Sequence, residues 1–149
     1  MGIKIIAKNK RASYDFFLED KFEAGAVLQG TEVKSLREGK CTMTDAFCTI
    51  DKKNEAWINN LTIPHYEFGN RQNHEETRKR KLLLHSKEIE TISKSMATKS
   101  LTLVPTKIYF KGSKVKIEIA LAKGKKLFDK RESKKEKEVE RKLRQGKYE

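Results

Sequence analysis

The sequence predicts a mainly β domain, a small antiparallel β-barrel with flanking α-helices. The strongest observation is a run in which apolar residues alternate with polar or small ones, at Val115, Ile117, Ile119 and Leu121. A period of two is typical of a strand with one buried face. The preceding run, 101–111, is also rich in strand-forming residues, and the intervening Gly112-Ser113 is typical of a tight hairpin.

Four shorter runs with strand-forming composition precede this hairpin. They span residues 14–18, 26–29, 46–50 and 56–61, and turn-forming Gly, Asp, Asn and Lys residues separate them. Together with the hairpin they make about six short strands, a number typical of a small antiparallel barrel. The chain of 149 residues has the length of one such domain.

One helix is predicted between the shorter runs and the hairpin. Ser86 can cap it, and Glu88 and Glu90 favour its first turn because carboxylates are stabilised near a helix N-terminus. An apolar stripe at helical spacing follows, formed by Ile89, Ile92, Met96 and Ala97. We expect this stripe to pack over the barrel. Upstream, the polar and basic segment 70–81 is consistent with either a loop or a short helix.

The last 27 residues differ from the rest of the chain in composition. Residues 1–122 carry 22 basic and 15 acidic side chains, whereas residues 123–149 carry 12 basic and 6 acidic ones. The second segment has too few large apolar residues to offset the entropy lost on ordering, so we expect it to be disordered in the free protein. Its part 132–144 nevertheless consists of helix-forming residues with oppositely charged pairs four positions apart. We therefore divide the chain into a barrel domain, 1–122, and a basic C-terminal tail, 123–149, that becomes helical on contact with a partner.

The whole chain contains 34 Lys and Arg against 21 Asp and Glu, a net charge of +13. Basic side chains in such an excess repel one another, and this indicates a polyanionic partner, with nucleic acid as the first candidate. The alternative is a highly soluble basic protein without such a partner. Because neither a signal-peptide pattern nor an apolar run of about eighteen residues occurs, we expect no membrane insertion, no export and a cytoplasmic location. In that setting Cys41 and Cys48 are expected to remain thiols.

Motifs for catalysis or cofactor binding are absent from the sequence. There is no Gly-x-Gly-x-x-Gly pattern, and 123–126 lacks the spacing and the hydroxyl of a phosphate-binding P-loop. The cysteines and histidines lack the close pairwise spacing of a structural zinc site. We therefore expect no cofactor, no metal and no enzymatic activity. The alternative that stays open is an RNA-processing enzyme that uses His74 or His85, which lie beside basic residues.

Two clusters combine basic residues with groups that can stack or form hydrogen bonds. The first comprises Asn70, Arg71, Asn73, His74, Arg78, Arg80 and Lys81. The second begins with Lys123, Lys125 and Lys126 and continues to Arg131, with Phe128 able to stack on a base. Lysine and arginine can hold phosphates, while amides and imidazole can reach ribose or base edges. Surface charge alone could explain either cluster, but together on a small barrel they favour RNA binding.

Several strings, in order along most of the chain, resemble those of a known family. FEAG (22–25) followed by LQGTEVKSLR (28–37) is similar to its N-terminal signature. GNRQNH (69–74) with RKLLLH (80–85) is similar to its central block, and LAKGKKLFDKR (121–131) to its C-terminal block. The family is that of small protein B, the SsrA-binding or tmRNA-binding proteins. Because the strings cover most of the chain, the resemblance is more specific than any single motif.

The resemblance implies an oligonucleotide-binding-like (OB-like) barrel that grips the tRNA-like domain of transfer-messenger RNA (tmRNA). It also implies a tail that enters the empty mRNA channel of the small ribosomal subunit near the decoding centre and folds there as a helix. Alanyl-tmRNA, delivered with elongation factor Tu, can then enter the ribosome and resume translation. We accordingly expect a monomeric tmRNA-binding adaptor of trans-translation. A general ribosome-associated or architectural RNA-binding protein is the alternative.

By the same resemblance, Glu23 and Leu83 fall at positions where the family contacts tmRNA. The ribosome-interacting tail motif falls on Phe128, Asp129, Lys130 and Arg131. Phe128 replaces the more familiar Tyr or His of that motif, which keeps a stacking ring and removes its polar tip. Two interpretations remain for Glu23. Its carboxylate either accepts hydrogen bonds from base or ribose donors, or orients a neighbouring arginine.

Overall fold

The computed structural model describes residues 2–68 and 73–125. Its strands are β1 (Ile3–Lys8), β2 (Phe16–Ala26), β3 (Phe47–Ile50), β4 (Ala56–Asn59), β5 (Arg80–Leu83), β6 (Thr102–Lys111) and β7 (Lys114–Gly124). Its helices are α1 (Ala12–Asp15), α2 (Gly30–Arg37) and α3 (Ser86–Lys99). Most of the predicted tail, including its expected helix, lies outside the described residues.

The strands form one antiparallel sheet in the order β1-β6-β3-β4-β5-β2-β7. Because β6 also pairs with β7, all of these strands except β1 close into a barrel. β1 pairs with the half of β6 that extends past β3, and it therefore flanks the closed barrel. The predicted class, a mainly β antiparallel barrel with flanking helices, is confirmed.

The β6–β7 hairpin is formed as the sequence predicts, with Lys111 and Lys114 as its last pair. Gly112 in the turn has a φ of 65°, a left-handed conformation that glycine adopts without a steric penalty. Of the alternating apolar side chains of β7, Ile117, Ile119 and Leu121 are fully buried and Val115 is partly buried. The period of two in this strand therefore marks the face that points into the barrel.

One apolar core fills the barrel and extends to the helices. Leu36 of α2 and Ile92 of α3 are fully buried in the same cluster as the inward side chains of the strands. Full burial of one such side chain contributes about 1.5–3 kcal/mol, so both helices are firmly attached to the barrel. The apolar stripe predicted for α3 is confirmed for Ile92 and, with partial burial, for Ile89 and Met96, whereas Ala97 is exposed.

Two of the predicted strands differ from the structure. The strand predicted at 14–18 begins only at Phe16, after the short helix α1, and the strand predicted at 26–29 shares only Ala26 with the same long strand, β2. The sequence does not predict β1 or α2. Helix α2 contains β-branched residues and begins at a glycine, so its intrinsic helix propensity is low. A capping box compensates for this, because the Glu32 carboxylate accepts the backbone N–H of Gln29 at 2.8 Å.

The prediction that Ser86 caps α3 is wrong by one residue. His85 is the N-cap, and its backbone N–H donates to the Glu88 carboxylate at 3.2 Å. Before α3, residues 73–79 form a loop that leads into β5, so the loop alternative is correct for this part of 70–81. β5 has only four residues, too few for a period of two to stand out in the sequence.

Candidate nucleic-acid interface

An open groove lies on the outer surface of the barrel, where β2 passes between the end of β5 and the β6–β7 hairpin. Its lining includes Glu23, Gly25, Leu83, His85, Lys111, Lys114 and Lys116. Gly25 pairs with Leu83 on one side and with Lys116 on the other, so three strands meet at its floor. This surface, here called the β2 groove, combines a carboxylate, ammonium groups and an exposed apolar side chain.

Two donors hold the carboxylate of Glu23 at the edge of the β2 groove. The Tyr109 hydroxyl donates to Oε2, and Nζ of Lys111 lies 3.3 Å from Oε1. The bond from Tyr109 lowers the pKa of Glu23; partial desolvation opposes this, and Lys111 lowers the pKa further. Neither bonded partner is an arginine. The carboxylate also keeps acceptor capacity beyond these two bonds, so the acceptor interpretation of Glu23 fits the geometry better.

Tyr109 lies on the outward face of β6, yet it is only 4% exposed. Its neighbours across the sheet are Ile5 of β1 and Lys116 of β7. Burial, followed by the bond to Glu23, raises the pKa of Tyr109 well above its usual value of 10.0. The hydroxyl is therefore protonated at neutral pH and remains a donor to Glu23.

Leu83 and Lys81 lie on the outward face of β5, two residues apart. Leu83 is 53% exposed, although it is apolar, and it packs beside the backbone of Gly25. A Cβ at Gly25 would lie 3.4 Å from Cβ of Leu83, so the glycine provides the space beside this side chain. Nζ of Lys81 lies 3.7 Å from the Glu55 carboxylate, and 40% of the Lys81 side chain is exposed. Both predicted site residues are accessible to a partner.

Lys111, Lys114 and Lys116 are site residues that sequence reasoning missed. They lie on the outward face of the hairpin, opposite the buried residues of the alternating pattern. Lys114 and Lys116 are the polar positions of the alternating pattern in β7, and the hairpin pairs Lys111 of β6 with Lys114. The polar positions of the pattern could therefore have predicted a basic stripe on this face of the hairpin. What the sequence could not show is that this stripe lies beside Glu23 and Leu83.

Arg80 is placed in the interior instead of at the interface. Its Nε donates to the Glu32 carboxylate and its Nη1 to the Leu61 carbonyl at 2.5 Å, and the side chain has no exposed surface. Arg78, with 23% of its side chain exposed, donates to the other oxygen of Glu32 and to the Val27 carbonyl. The predicted contact of Arg80 with RNA is thus not supported, because this guanidinium joins β5 to α2 inside the fold.

Burial by itself would raise the pKa of Glu32. Hydrogen bonds from Arg78, from the backbone of Gln29 and from Arg80 outweigh this effect, and the pKa lies below its usual value of 4.5. Glu32 is therefore an ionised group at the centre of a buried network. Such a network holds the loop before β5 against the first turn of α2.

His74 and Asn73 also serve the fold. The Ile63 carbonyl, 2.7 Å from Nε2 of His74, can only accept, so Nε2 donates to it, and Nδ1 forms a hydrogen bond with the Thr31 hydroxyl at 2.8 Å. His74 is 2% exposed and has no free nitrogen for RNA contact or proton transfer. The Asn73 amide bonds to both the N–H and the carbonyl of Tyr66. Asn70 and Arg71 lie outside the described residues.

The second basic cluster is described only at its beginning. Lys123, at the end of β7, is exposed and pairs with Phe17 of β2, which is 46% exposed. Nζ of Lys125 lies 4.9 Å from the centre of the Phe17 ring and 2.9 Å from the Ser13 carbonyl, to which it donates. The sheet therefore continues past residue 122. The remaining predicted members lie outside the described residues: Lys126, Phe128, Asp129, Lys130 and Arg131.

Cys41 and Cys48 are both unpaired thiols, as predicted. Burial raises the pKa of Cys41 to about 12, so this thiol stays protonated at neutral pH. Within 2–68 and 73–125, no cluster of three or more His, Cys, Asp or Glu residues could hold a metal ion. None of the helices in these same ranges is long and apolar enough to cross a membrane.

Comparison with known proteins gives consistent matches over nearly the whole chain. The family model described as SmpB protein matches residues 6–148. The SsrA-binding protein of Syntrophotalea carbinolica is 55% identical over 143 residues, covering 96% of this chain and 95% of the relative. The SsrA-binding protein of Bifidobacterium adolescentis is 50% identical over 140 residues, covering 94% of this chain and 88% of the relative.

A solved structure agrees with these relatives. It is described as "tmRNA-SmpB: a journey to the center of the bacterial ribosome" and superposes with a TM-score of 0.68 and 43% sequence identity. The match covers 81% of this chain and 85% of that chain. Shared sequence over almost the full length and a shared fold thus lead to the same conclusion: the chain belongs to the SmpB family of SsrA-binding proteins.

Proposed function

We propose that the protein is a tmRNA-binding adaptor of trans-translation, which binds the tRNA-like domain of tmRNA and acts with it on stalled ribosomes. The observation that supports this best is the β2 groove. It brings Glu23 and Leu83, which are 60 positions apart in the sequence, beside three lysines. The solved relative, described with the words tmRNA, SmpB and ribosome, supports the same pair of partners.

The groove has the chemistry that recognition of folded RNA requires. Lysine ammonium groups neutralise phosphates and supply affinity without sequence preference. Glu23 repels phosphate, and its free lone pairs select N–H or O–H donors on bases or ribose. Leu83 adds an apolar surface that a base or a ribose can contact. Because these groups are spaced on a rigid sheet, the groove reads the shape of an RNA fold more than its sequence.

The proposal divides the work between two segments. The barrel, residues 1–122 with the end of β7, holds tmRNA, and the basic tail, residues 123–149, contacts the ribosome in the empty mRNA channel through Phe128, Asp129, Lys130 and Arg131. As a monomeric adaptor in the cytoplasm, the protein catalyses no reaction. It requires neither metal nor cofactor, and it meets elongation factor Tu only through alanyl-tmRNA.

The proposal is tested by comparing the affinities of the purified protein for tmRNA, an ordinary tRNA and duplex DNA at one salt concentration. We expect tmRNA to bind most tightly. Equal affinity for all three would contradict the proposal and favour a general nucleic-acid binder, because phosphate contacts alone do not distinguish these ligands.

A substitution in the groove links the affinity to this surface. Leu83→Ala should weaken tmRNA binding by about tenfold, as expected when a buried interface contact is truncated. Its matched control is Phe47→Ala, which removes another exposed apolar side chain, 43% exposed, on β3. If the Leu83→Ala protein folds and keeps its affinity for tmRNA, the β2 groove is not part of the interface.

A further inference from the structure

A second cavity lies beside the β2 groove, between β1, the C-terminal end of α2 and the β6–β7 hairpin. It has a volume of about 280 Å³ and is lined by Gly2, Lys4, Arg37, Phe110, Gly112 and Ser113. Ser113 lines both this cavity and the β2 groove, so the two form one continuous surface around the hairpin. Neither Lys4 nor Arg37 belongs to the predicted RNA-binding residues.

Lys4 and Arg37 leave positive charge in this cavity without a counter-charge. Both side chains are exposed, and neither forms an ion pair with another described residue. The acid next to Arg37 in the sequence, Glu38, is paired with Lys40 at 3.2 Å. Two cations near one cavity repel each other, so their juxtaposition favours an anion between them.

The fold brings these two cations together from distant parts of the chain. β1 pairs with β6 so that Lys4 lies opposite Phe110. On α2, Arg37 follows Val33 by one helical turn, and Val33 itself lines the β2 groove. Helix α2 therefore runs from the groove to the cavity and presents Arg37 at the far end. The walls belong to elements anchored in the core.

We propose that this cavity binds a phosphate of the RNA backbone and extends the tmRNA interface past the hairpin; the proposal rests on the function proposed above. Arginine is suited to phosphate because its planar fork donates two parallel hydrogen bonds, and lysine adds a mobile charge. The acid of the interface, Glu23, lies in the groove and not in this cavity. The groove then selects the RNA and the cavity adds backbone affinity.

The experiment measures the salt dependence of tmRNA binding for a double variant, Lys4→Ala with Arg37→Ala. Each neutralised phosphate contributes about 0.7–0.9 to the slope of log K against log salt, so loss of this one phosphate contact should make the slope shallower by about that amount, and the affinity at low salt should fall at least tenfold. The charge-matched control is Lys52→Ala with Lys53→Ala. These exposed lysines lie in the β3–β4 turn, away from the cavity.

An equal slope for the Lys4/Arg37 variant and the wild type would overturn the site. Equal changes in the two double variants would overturn it as well, because they would reflect net charge alone. Arg37→Lys should lose part of the affinity and keep the slope, since it retains the charge without the fork. Selectivity of the wild type for tmRNA over tRNA tests the proposed function separately, so the two can fail independently.

Discussion

At the scale of single residues, Glu32 and Glu23 show how the environment gives one residue type two tasks. Glu32 has no exposed surface and bonds to two arginines and a backbone N–H. Glu23 is 37% exposed and bonds to a tyrosine and a lysine. The first carboxylate stabilises the fold, whereas the second keeps acceptor positions open to a partner.

We predict that Glu32→Gln destabilises the protein by about 3–5 kcal/mol, because it leaves the buried charge of Arg80 without a partner. Urea denaturation measures this free energy. Glu38→Gln is the matched control; its pair with Lys40 is exposed and should contribute less than about 1 kcal/mol. Equal stability of the two variants would show that the buried network contributes little.

The same network sets a dependence of stability on pH. Since the pKa of Glu32 in the folded protein lies below its usual value of 4.5, its contribution is complete above that value and is lost as the pH falls through the folded-state pKa. We predict a steeper loss of stability below pH 4.5 for the wild type than for Glu32→Gln. Urea titrations at several acidic pH values would show the difference, and parallel curves would contradict it.

Tyr109→Phe should raise the pKa of Glu23 toward its usual value, because the carboxylate loses its main donor. It should weaken tmRNA binding by roughly fivefold, which corresponds to about 1 kcal/mol, the net contribution of a typical hydrogen bond. NMR titration of the Glu23 carboxyl carbon measures the pKa, and a binding assay measures the affinity. Tyr14→Phe, in α1, removes a hydroxyl outside the groove and should change neither. An unchanged Glu23 pKa would mean that Tyr109 does not hold this carboxylate.

At the scale of elements, β2 and α2 position most of the side chains of the proposed interface. β2 carries Glu23 and Gly25 between β5 and β7, and the register of these pairings aligns Leu83, Gly25 and Lys116 across three strands. α2 contributes Glu32 to the buried network and Arg37 to the cavity beside the hairpin. A shift of β2 by one residue would turn its side chains to the opposite face of the sheet. A shift of α2 by one residue would rotate its side chains by about 100° around the helix axis and move Glu32 and Arg37 away from their partners.

Gly25→Ala separates stability from binding at this element. Its backbone is not in the left-handed region, and the new Cβ meets only the Leu83 side chain at 3.4 Å. Alanine should therefore leave stability unchanged or increase it by up to about 1 kcal/mol. The methyl group would occupy the floor of the groove and lower tmRNA affinity.

Thermal unfolding together with tmRNA binding provides the two measurements for Gly25→Ala. Gly30→Ala, where a Cβ would meet no atom within 4 Å, is the control and should keep the affinity. A Gly25→Ala protein with wild-type affinity would show that RNA does not approach the floor of the groove.

At the scale of the whole molecule, the barrel and the tail should be separable. β7 ends at Gly124, and the N–H of Lys125 still bonds to the Asp15 carbonyl at 2.8 Å. A chain that ends after Lys125 therefore keeps every sheet pairing seen within residues 2–68 and 73–125. We predict that it binds tmRNA selectively but does not support tagging on stalled ribosomes in a reconstituted translation assay.

Truncation after Gln145, which removes only the last four residues, is the control and should support tagging. If the chain that ends after Lys125 loses both tmRNA binding and tagging, the tail is part of the tmRNA-binding surface. Retention of both would remove the tail from the proposed ribosome contact.

The parts that could be predicted from the sequence are those whose signal is local. The alternation of β7 and the apolar stripe of α3 each require only neighbours along the chain. Strand β5 and helix α2 were missed because their formation depends on distant partners, such as the bonds of Arg80 and Arg78 to Glu32. For the same reason, Arg78, Arg80 and Lys81 look like one basic cluster in the sequence. In the fold Arg80 is buried, whereas the side chains of Arg78 and Lys81 are partly exposed.

Local patterns in the sequence are enough to predict the antiparallel β class, the hairpin and the free thiols, and the family strings predict that Glu23 and Leu83 contact tmRNA. Which charges are buried and which stay accessible depends on the fold. The fold buries His74 and Arg80, leaves Lys111 and Lys114 exposed and Lys116 half-buried, and brings Lys4 and Arg37 into the lining of one cavity. The physical reason is that a charge becomes structural or functional according to its burial and its partners, and the closure of the barrel sets both.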